Sequence, residues 1–233
     1  MSIAPTEELV SIQLSEGNTP AVAGIFDLPA APGGAPILLA HGAGVFMRSD
    51  FMQAVAQGLA QGGHPVLRFN YPYAERMEQQ GTRRPPDRKG PLFAAHRAAA
   101  AALATRFPDQ RPIFAGKSMG GRVASMLAAE GDECSHLVFF GYPLHPPGKP
   151  EKQRSEHFPA LAQPALFLQG DRDALCDLEL LGPALETFGG RTKLCVLEGA
   201  DHDFALPRSS GRDRKDVMAE LLRLSLEWLR NEP

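Results

Sequence analysis

The chain has 233 residues, a formal net charge of −3 and 43% hydrophobic residues, enough to build a buried core without help from metals or disulfides. Its basic residues are scattered instead of forming a stripe, so charge gives no footprint for nucleic acid or a membrane surface, and no apolar run approaches the ~20 residues of a membrane helix. Cys134, Cys176 and Cys195 lack CxxC or Cys/His ligand spacing, which points to reduced thiols in a cytoplasmic protein with no metal site. Met1 to Gly17 carries acidic residues and no basic-then-apolar pattern, which argues against a signal peptide.

In chain order, Leu9 to Leu14 alternates apolar and polar residues and Ala21 to Leu28 is a second strand-like run. Gly17-Asn18 supplies turn chemistry between them, so an N-terminal antiparallel hairpin is expected. Short buried strands follow at Ile37 to Ala40, Pro65 to Phe69, Ile113 to Ala115, Leu137 to Phe140, Ala165 to Gln169 and Leu194 to Leu197. Between them lie helical stretches at Phe51 to Gln61, Pro91 to Phe107, Met119 to Glu130 and Leu178 to Phe188, with Arg214 to Leu229 last. The alternation predicts an α/β fold, a mostly parallel central sheet covered on both faces, formed as a single domain over residues 1–233. Alanine-rich His96 to Ala104 reads as a helix packed closely on the sheet. Two long segments, Tyr71 to Gly90 and Leu144 to Pro164, read as loops that shape a pocket at the strand ends.

The chemistry is carried by Pro112 to Gly121, a short apolar strand running into Gly116-x-Ser118-x-Gly120 and then into a helix. Such a context is a nucleophile elbow: the sharp strand-to-helix turn pushes the serine hydroxyl outward, and glycines flank it where a Cβ would clash. Without the strand before and the helix after, the same five letters would read as a glycine-rich turn. A serine hydroxyl needs a base, an orienting acid and an oxyanion hole. His202, in the loop after the last strand, is the expected base. Asp173 is the favoured acid, with Asp171 as the competing choice, because a carboxylate a few residues past the strand can fold over to the imidazole while Asp171 sits where turn residues bond backbone. Asp201 and Asp203 read as loop-capping residues. His41-Gly42-Ala43-Gly44 is a loop whose amides can face a developing oxyanion, with Ala43 and Met119 as the paired donors and His41 as the residue that orients the loop.

Other polar residues carry two readings. Arg83, Arg84, Arg88 and Lys89 read as a solvated loop or as contacts to an anionic substrate. Arg84, His145 and Arg154 are the candidate substrate-binding residues, set against plain surface polarity. Lys117 and Arg122, which bracket the serine, either pack locally or meet an acidic substrate or partner.

The chain order serine, aspartate, histidine, each at the end of a strand, resembles the α/β-hydrolase superfamily over nearly the whole length. More narrowly, the chain is similar to the branch that groups testis-expressed protein 30 with the hydrolase-like domain of a chromatin acetyltransferase complex subunit. That likeness rests on His41-Gly42-Ala43-Gly44, Gly116 to Arg122, Gly170-Asp171-Arg172-Asp173, Gly199-Ala200-Asp201-His202 and above all Tyr142-Pro143-Leu144-His145-Pro146-Pro147-Gly148-Lys149-Pro150. In size and lack of a cap it also resembles dienelactone hydrolases, but those place cysteine where this chain has Ser118. The resemblance implies minimal or no cap, since Leu144 to Pro164 lies where larger hydrolases insert one and is too short for a lid, and hence an open pocket.

The expected function is that of a serine hydrolase, an esterase or thioesterase acting on a small acyl substrate through an acyl-enzyme, without cofactor or metal. Two alternatives stand beside it: a non-catalytic interaction module that docks through Pro143 to Pro150, and a perhydrolase or lyase using the same three residues. A protein partner is left open.

Overall fold

The computed structural model describes residues 4–15 and 19–232; the Gly17-Asn18 turn expected for the N-terminal hairpin lies outside them. Eight strands form one sheet: β1 (Thr6–Gln13), β2 (Ala21–Leu28), β3 (Ile37–Ala40), β4 (Val66–Phe69), β5 (Ile113–Lys117), β6 (Leu137–Phe140), β7 (Ala165–Gly170) and β8 (Thr192–Leu197). Their spatial order is β1-β2-β4-β3-β5-β6-β7-β8. β1 pairs antiparallel with β2 and β2 with β4, and every later pairing is parallel. This is the α/β-hydrolase fold, with the expected antiparallel hairpin at one edge.

Among the described residues six α-helices flank the sheet, five between strands and one after the last: α1 (Asp50–Gln61), α2 (Pro72–Gln80), α3 (Lys89–Arg106), α4 (Met119–Ala129), α5 (Leu178–Glu186) and α6 (Arg214–Asn231). Successive strand side chains point to opposite faces, so parallel strands that are covered on both faces must be apolar throughout. Leu38, Phe114, Phe139 and Phe167 pack against α2 to α5, while Leu39, Val138 and Leu166 pack against α1 and α6. In α3, Ala95 and Ala99 are fully buried, the close helix-to-sheet approach that small side chains permit.

Parallel pairing puts the chemistry on one edge. Ala40 pairs with both Phe69 and Gly116, and Gly170 pairs with Leu197. The loops after β3, β5, β7 and β8 therefore leave side by side at the carboxyl end of the sheet.

One expected loop is corrected. Within Tyr71 to Gly90, residues Pro72–Gln80 form α2, with Pro72 in the first turn and Gly81 closing it at φ 63. Proline pre-set for a helix start and glycine in the left-handed region after its end are both start and stop signals, and the polar run between them hid the helix. α3 also begins earlier than expected, at Lys89. The other segment, Leu144 to Pro164, holds a single 3-10 turn at Phe158–Ala160, whose Phe158 ring is buried against Tyr142, Phe167 and Phe188. No cap domain stands over the carboxyl edge among the described residues.

Candidate active site

Ser118 sits between β5 and α4 with φ 50 and ψ −116. A side chain there costs backbone energy, so the turn is held by its surroundings. The Ser118 N–H donates to Phe140 O at 3.1 Å, and the Ser118 carbonyl accepts from Arg122 N–H at 3.1 Å. Gly120 packs directly on the end of β3: a Cβ on it would lie 2.3 Å from Ala40 O. Glycine here brings the serine turn into van der Waals register with the His41 loop.

The loop after β8 presents His202. Asp201 Oδ1 accepts from the amides of Asp203 and Ala205, each at 2.9 Å, and closes the turn around the histidine. His202 Nε2 lies 2.8 Å from Ser118 Oγ and Nδ1 lies 2.7 Å from Asp173 Oδ2. Because a carboxylate only accepts, Nδ1 carries the proton and Nε2 is left as the acceptor for the serine hydroxyl. The Asp173 side chain is fully buried while that of His202 is 22% exposed, so one face of the imidazole is open to an incoming molecule. Asp173 is fixed in turn by Leu175 N–H at 2.7 Å and Gln169 Nε2 at 2.5 Å.

Asp171 does not reach the ring. Its Oδ1 accepts from Gly199 N–H at 2.7 Å, so it ties the β7 loop to the β8 loop instead of bonding its own turn as expected. Gly170 adds to that tie, since a Cβ there would lie 2.2 Å from Ala200 O.

On the other side, the His41 ring is fully buried and bonded at both nitrogens. Tyr71 N–H donates to Nε2 at 3.1 Å, and Nδ1–H donates to Gly42 O at 2.8 Å. Tyr73 O–H donates to the same Gly42 carbonyl at 3.0 Å. Burial pulls the His41 pKa down to about 4, so the ring is neutral. The loop it holds abuts the serine: a Cβ on Gly42 would sit 3.5 Å from Ser118 Cβ. Among the described residues nothing accepts from the Ala43 or Met119 amides, which leaves both donors available.

Sequence reasoning missed Tyr71, Tyr73 and Gln169. The Tyr-Pro-Tyr run directly after β4 was the available signal for the first two. Lys117 makes the loop contact expected of it, donating from Nζ to His202 O at 2.5 Å, and it lies over the Phe51 and Phe204 rings. Burial lowers its pKa to about 8. Beside it is a cavity of about 360 Å³ lined by Val45, Phe51, Lys117, Asp203 and Arg214, among others. A larger cavity of about 700 Å³ lies between the N-terminal hairpin and α2. Its lining includes none of Ser118, Asp173 and His202, so size does not locate the site.

The three candidate substrate contacts separate. Arg84 is exposed and donates to Gln80 Oε1 at 2.6 Å, just past the end of α2. His145 is buried and structural, with Nδ1 against Pro146 O at 3.0 Å and Nε2 accepting from Asp177 N–H at 3.0 Å. Both side chains thus have partners within the protein, Arg84 on α2 and His145 on the loop after β7. Arg154 is half-buried, with Nη1 3.4 Å from Pro143 O. The solvated reading suits the rest of the first basic cluster, where Lys89 pairs with Glu130.

Known proteins share this architecture. The structure is similar to a dienelactone hydrolase from Anabaena variabilis, with 23% identity over 98% of this chain and 99% of that one and a TM-score of 0.72. It is also similar to an α/β serine hydrolase without a lid from Xanthomonas campestris, at 22% identity over 97% of each chain with a TM-score of 0.68. An esterase from Pyrococcus furiosus matches at 16% identity over 97% of this chain and 91% of that one, with a TM-score of 0.73. The family model described as an alpha/beta hydrolase domain matches residues 33–230, and the chain belongs to that family.

Proposed function

We propose that the protein is a serine hydrolase that cleaves a small ester or thioester through an acyl-enzyme on Ser118. The observation that carries this reading is the continuous chain Ser118 Oγ, His202, Asp173, with contacts of 2.8 and 2.7 Å. His202 Nε2 takes the hydroxyl proton as Ser118 Oγ attacks the carbonyl carbon, and Asp173 holds Nδ1–H and stabilises the imidazolium. The Ala43 and Met119 amides donate to the tetrahedral oxyanion. Collapse expels the alcohol or thiol, which leaves with the proton from His202, and a water molecule activated by the same nitrogen then releases the acid. The esterases and serine hydrolases among the similar structures support the reaction class. The Tyr142 to Pro150 run supports placing the chain in the branch of testis-expressed protein 30. The three cysteines are free, and burial pushes the Cys134 and Cys176 thiols up to about 12, which suits a reducing, cytoplasmic setting.

Fluorophosphonate labelling read by intact mass tests the reading. Wild-type protein should gain one adduct, and Ser118→Ala should gain none and lose turnover of an activated ester. Labelling that survives Ser118→Ala, or a folded wild type that is never labelled, would sink the proposal and favour an interaction module.

A further inference from the structure

Among the described residues two lysine or arginine side chains are buried, and the fold treats them differently. Arg68 meets the carboxylates of Asp27 and Glu7. Lys117, only 6% exposed, makes one hydrogen bond, from Nζ to the backbone carbonyl of His202. Its ammonium also lies 5.4 Å from the centre of the Phe204 ring and 5.9 Å from that of Phe51. Asp203, Asp173 and Asp201 offset the burial by their charge, and among the described residues none of them bonds it. Asp50 and Arg214 line the same cavity beside it. Taking an ammonium out of water is costly, and a methionine of similar length would lie there without that cost. The charge is therefore to be explained by what it holds.

What it holds is the backbone of the proposed base. Residues 199–205 hang from β8, and most of their hydrogen bonds run within the loop or to the turn after β7. Gly199 N–H donates to Asp171, Arg172 N–H donates to Ala200 O, and the amides of Asp203 and Ala205 donate to Asp201. His202 itself is fastened through Nδ1 to Asp173, through Nε2 to Ser118 Oγ and through its carbonyl to Lys117. The last two partners are consecutive residues at the end of β5, so a single peptide link sets the nucleophile against the fastening of its base. Gly141 leaves room for this: a Cβ there would lie 3.3 Å from Lys117 Nζ, 3.5 Å from His202 O and 3.6 Å from His202 Nδ1.

We propose that Lys117 is a positioning residue for the hydrolysis: its ammonium grips the His202 carbonyl from the elbow side and keeps the imidazole within reach of Ser118 Oγ. This rests on the hydrolase reading and adds to it a side chain that acts through the base. A charge-assisted bond is stronger than one between neutral groups, and a reacting group displaced by about 1 Å can lose about 10²-fold in rate. Burial lowers the ammonium's pKa to about 8, so the grip is charge-assisted below that pH and weakens as pH rises through it.

The test reads kcat and KM for 4-nitrophenyl butyrate. Lys117→Met should lower kcat by roughly 10²-fold with KM changed by less than about threefold, while the thermal midpoint holds or rises because a buried charge is gone. A kcat that is kept, with or without a lower midpoint, would reduce Lys117 to packing and overturn the proposal. The adjoining cavity admits a longer side chain, so Lys117→Arg should restore at least about a third of kcat. A guanidinium stays charged, so this variant should also lose the fall in kcat that wild type shows as pH rises through about 8. A fall that persists in Lys117→Arg belongs to another group and counts against the proposal. If wild type turns over no ester, the hydrolase reading fails by itself, and amide exchange still decides the tie. Exchange of residues 199–205 that is faster in Lys117→Met, with β5 unchanged, upholds it, and equal rates overturn it.

Discussion

Two loops leave the same sheet edge with a histidine each, and the protein treats the two rings in opposite ways. After β3, His41 is sealed from solvent, bonded at both nitrogens to backbone and kept neutral. After β8, His202 is partly exposed and bonded at both nitrogens to side chains, a carboxylate and a hydroxyl. Backbone partners fix a shape, whereas side-chain partners can exchange protons. The difference teaches that a histidine at a strand end is assigned by what holds it, not by where it stands.

The sharpest break in this comparison would come from Asp173. Asp173→Asn removes the acceptor that sets the His202 tautomer and should lower kcat for an activated ester by about 10⁴-fold, with the thermal midpoint little changed. Asp171→Asn, which only loosens the tie to Gly199, should cost less than about tenfold, on the scale of one ordinary hydrogen bond. A large loss with Asp171→Asn and a small one with Asp173→Asn would reverse the choice of acid.

Next in size, His41→Ala should leave the buried Tyr71 N–H without an acceptor and cost about 2–4 kcal/mol of stability in urea unfolding. An unchanged midpoint would remove His41 from its role as the fastening of its loop.

Smaller again is the pH effect. His41 and His157 are held near pKa 4 and His96 near 3, in each case chiefly by burial. Between about pH 6.5 and pH 4 the unfolded chain binds protons that the native state refuses, so stability present at neutral pH falls as pH drops through that window. Urea midpoints measured across it should decline, and His41→Gln should flatten the slope by about one proton. A level wild-type profile would show that these rings are not sealed in solution.

Much of this arrangement was legible in the chain. Ile113 to Gly121 announced its own turn because strand, glycines and helix are adjacent in sequence, and Asp173 followed from its distance past a strand end. α2 was missed because Glu75-Arg76-Met77-Glu78-Gln79-Gln80 is too polar to show a helical apolar stripe. The supports of the His41 loop were missed because Tyr71 and Tyr73 act across about 30 residues, one of them through its amide, which no side-chain pattern encodes.

The strand order has a last consequence. The serine turn grows from β5 in the middle of the sheet, but His202 follows β8, the final strand, which pairs on one side only and leaves Val196 exposed. Strands at a margin open more readily than those within, because fewer bonds must break together. The proposed nucleophile and base therefore belong to parts of the molecule with unequal resistance to local opening. Amide exchange in β8 should outpace that in β5, and fraying at this margin would silence the site while the rest of the domain stays native.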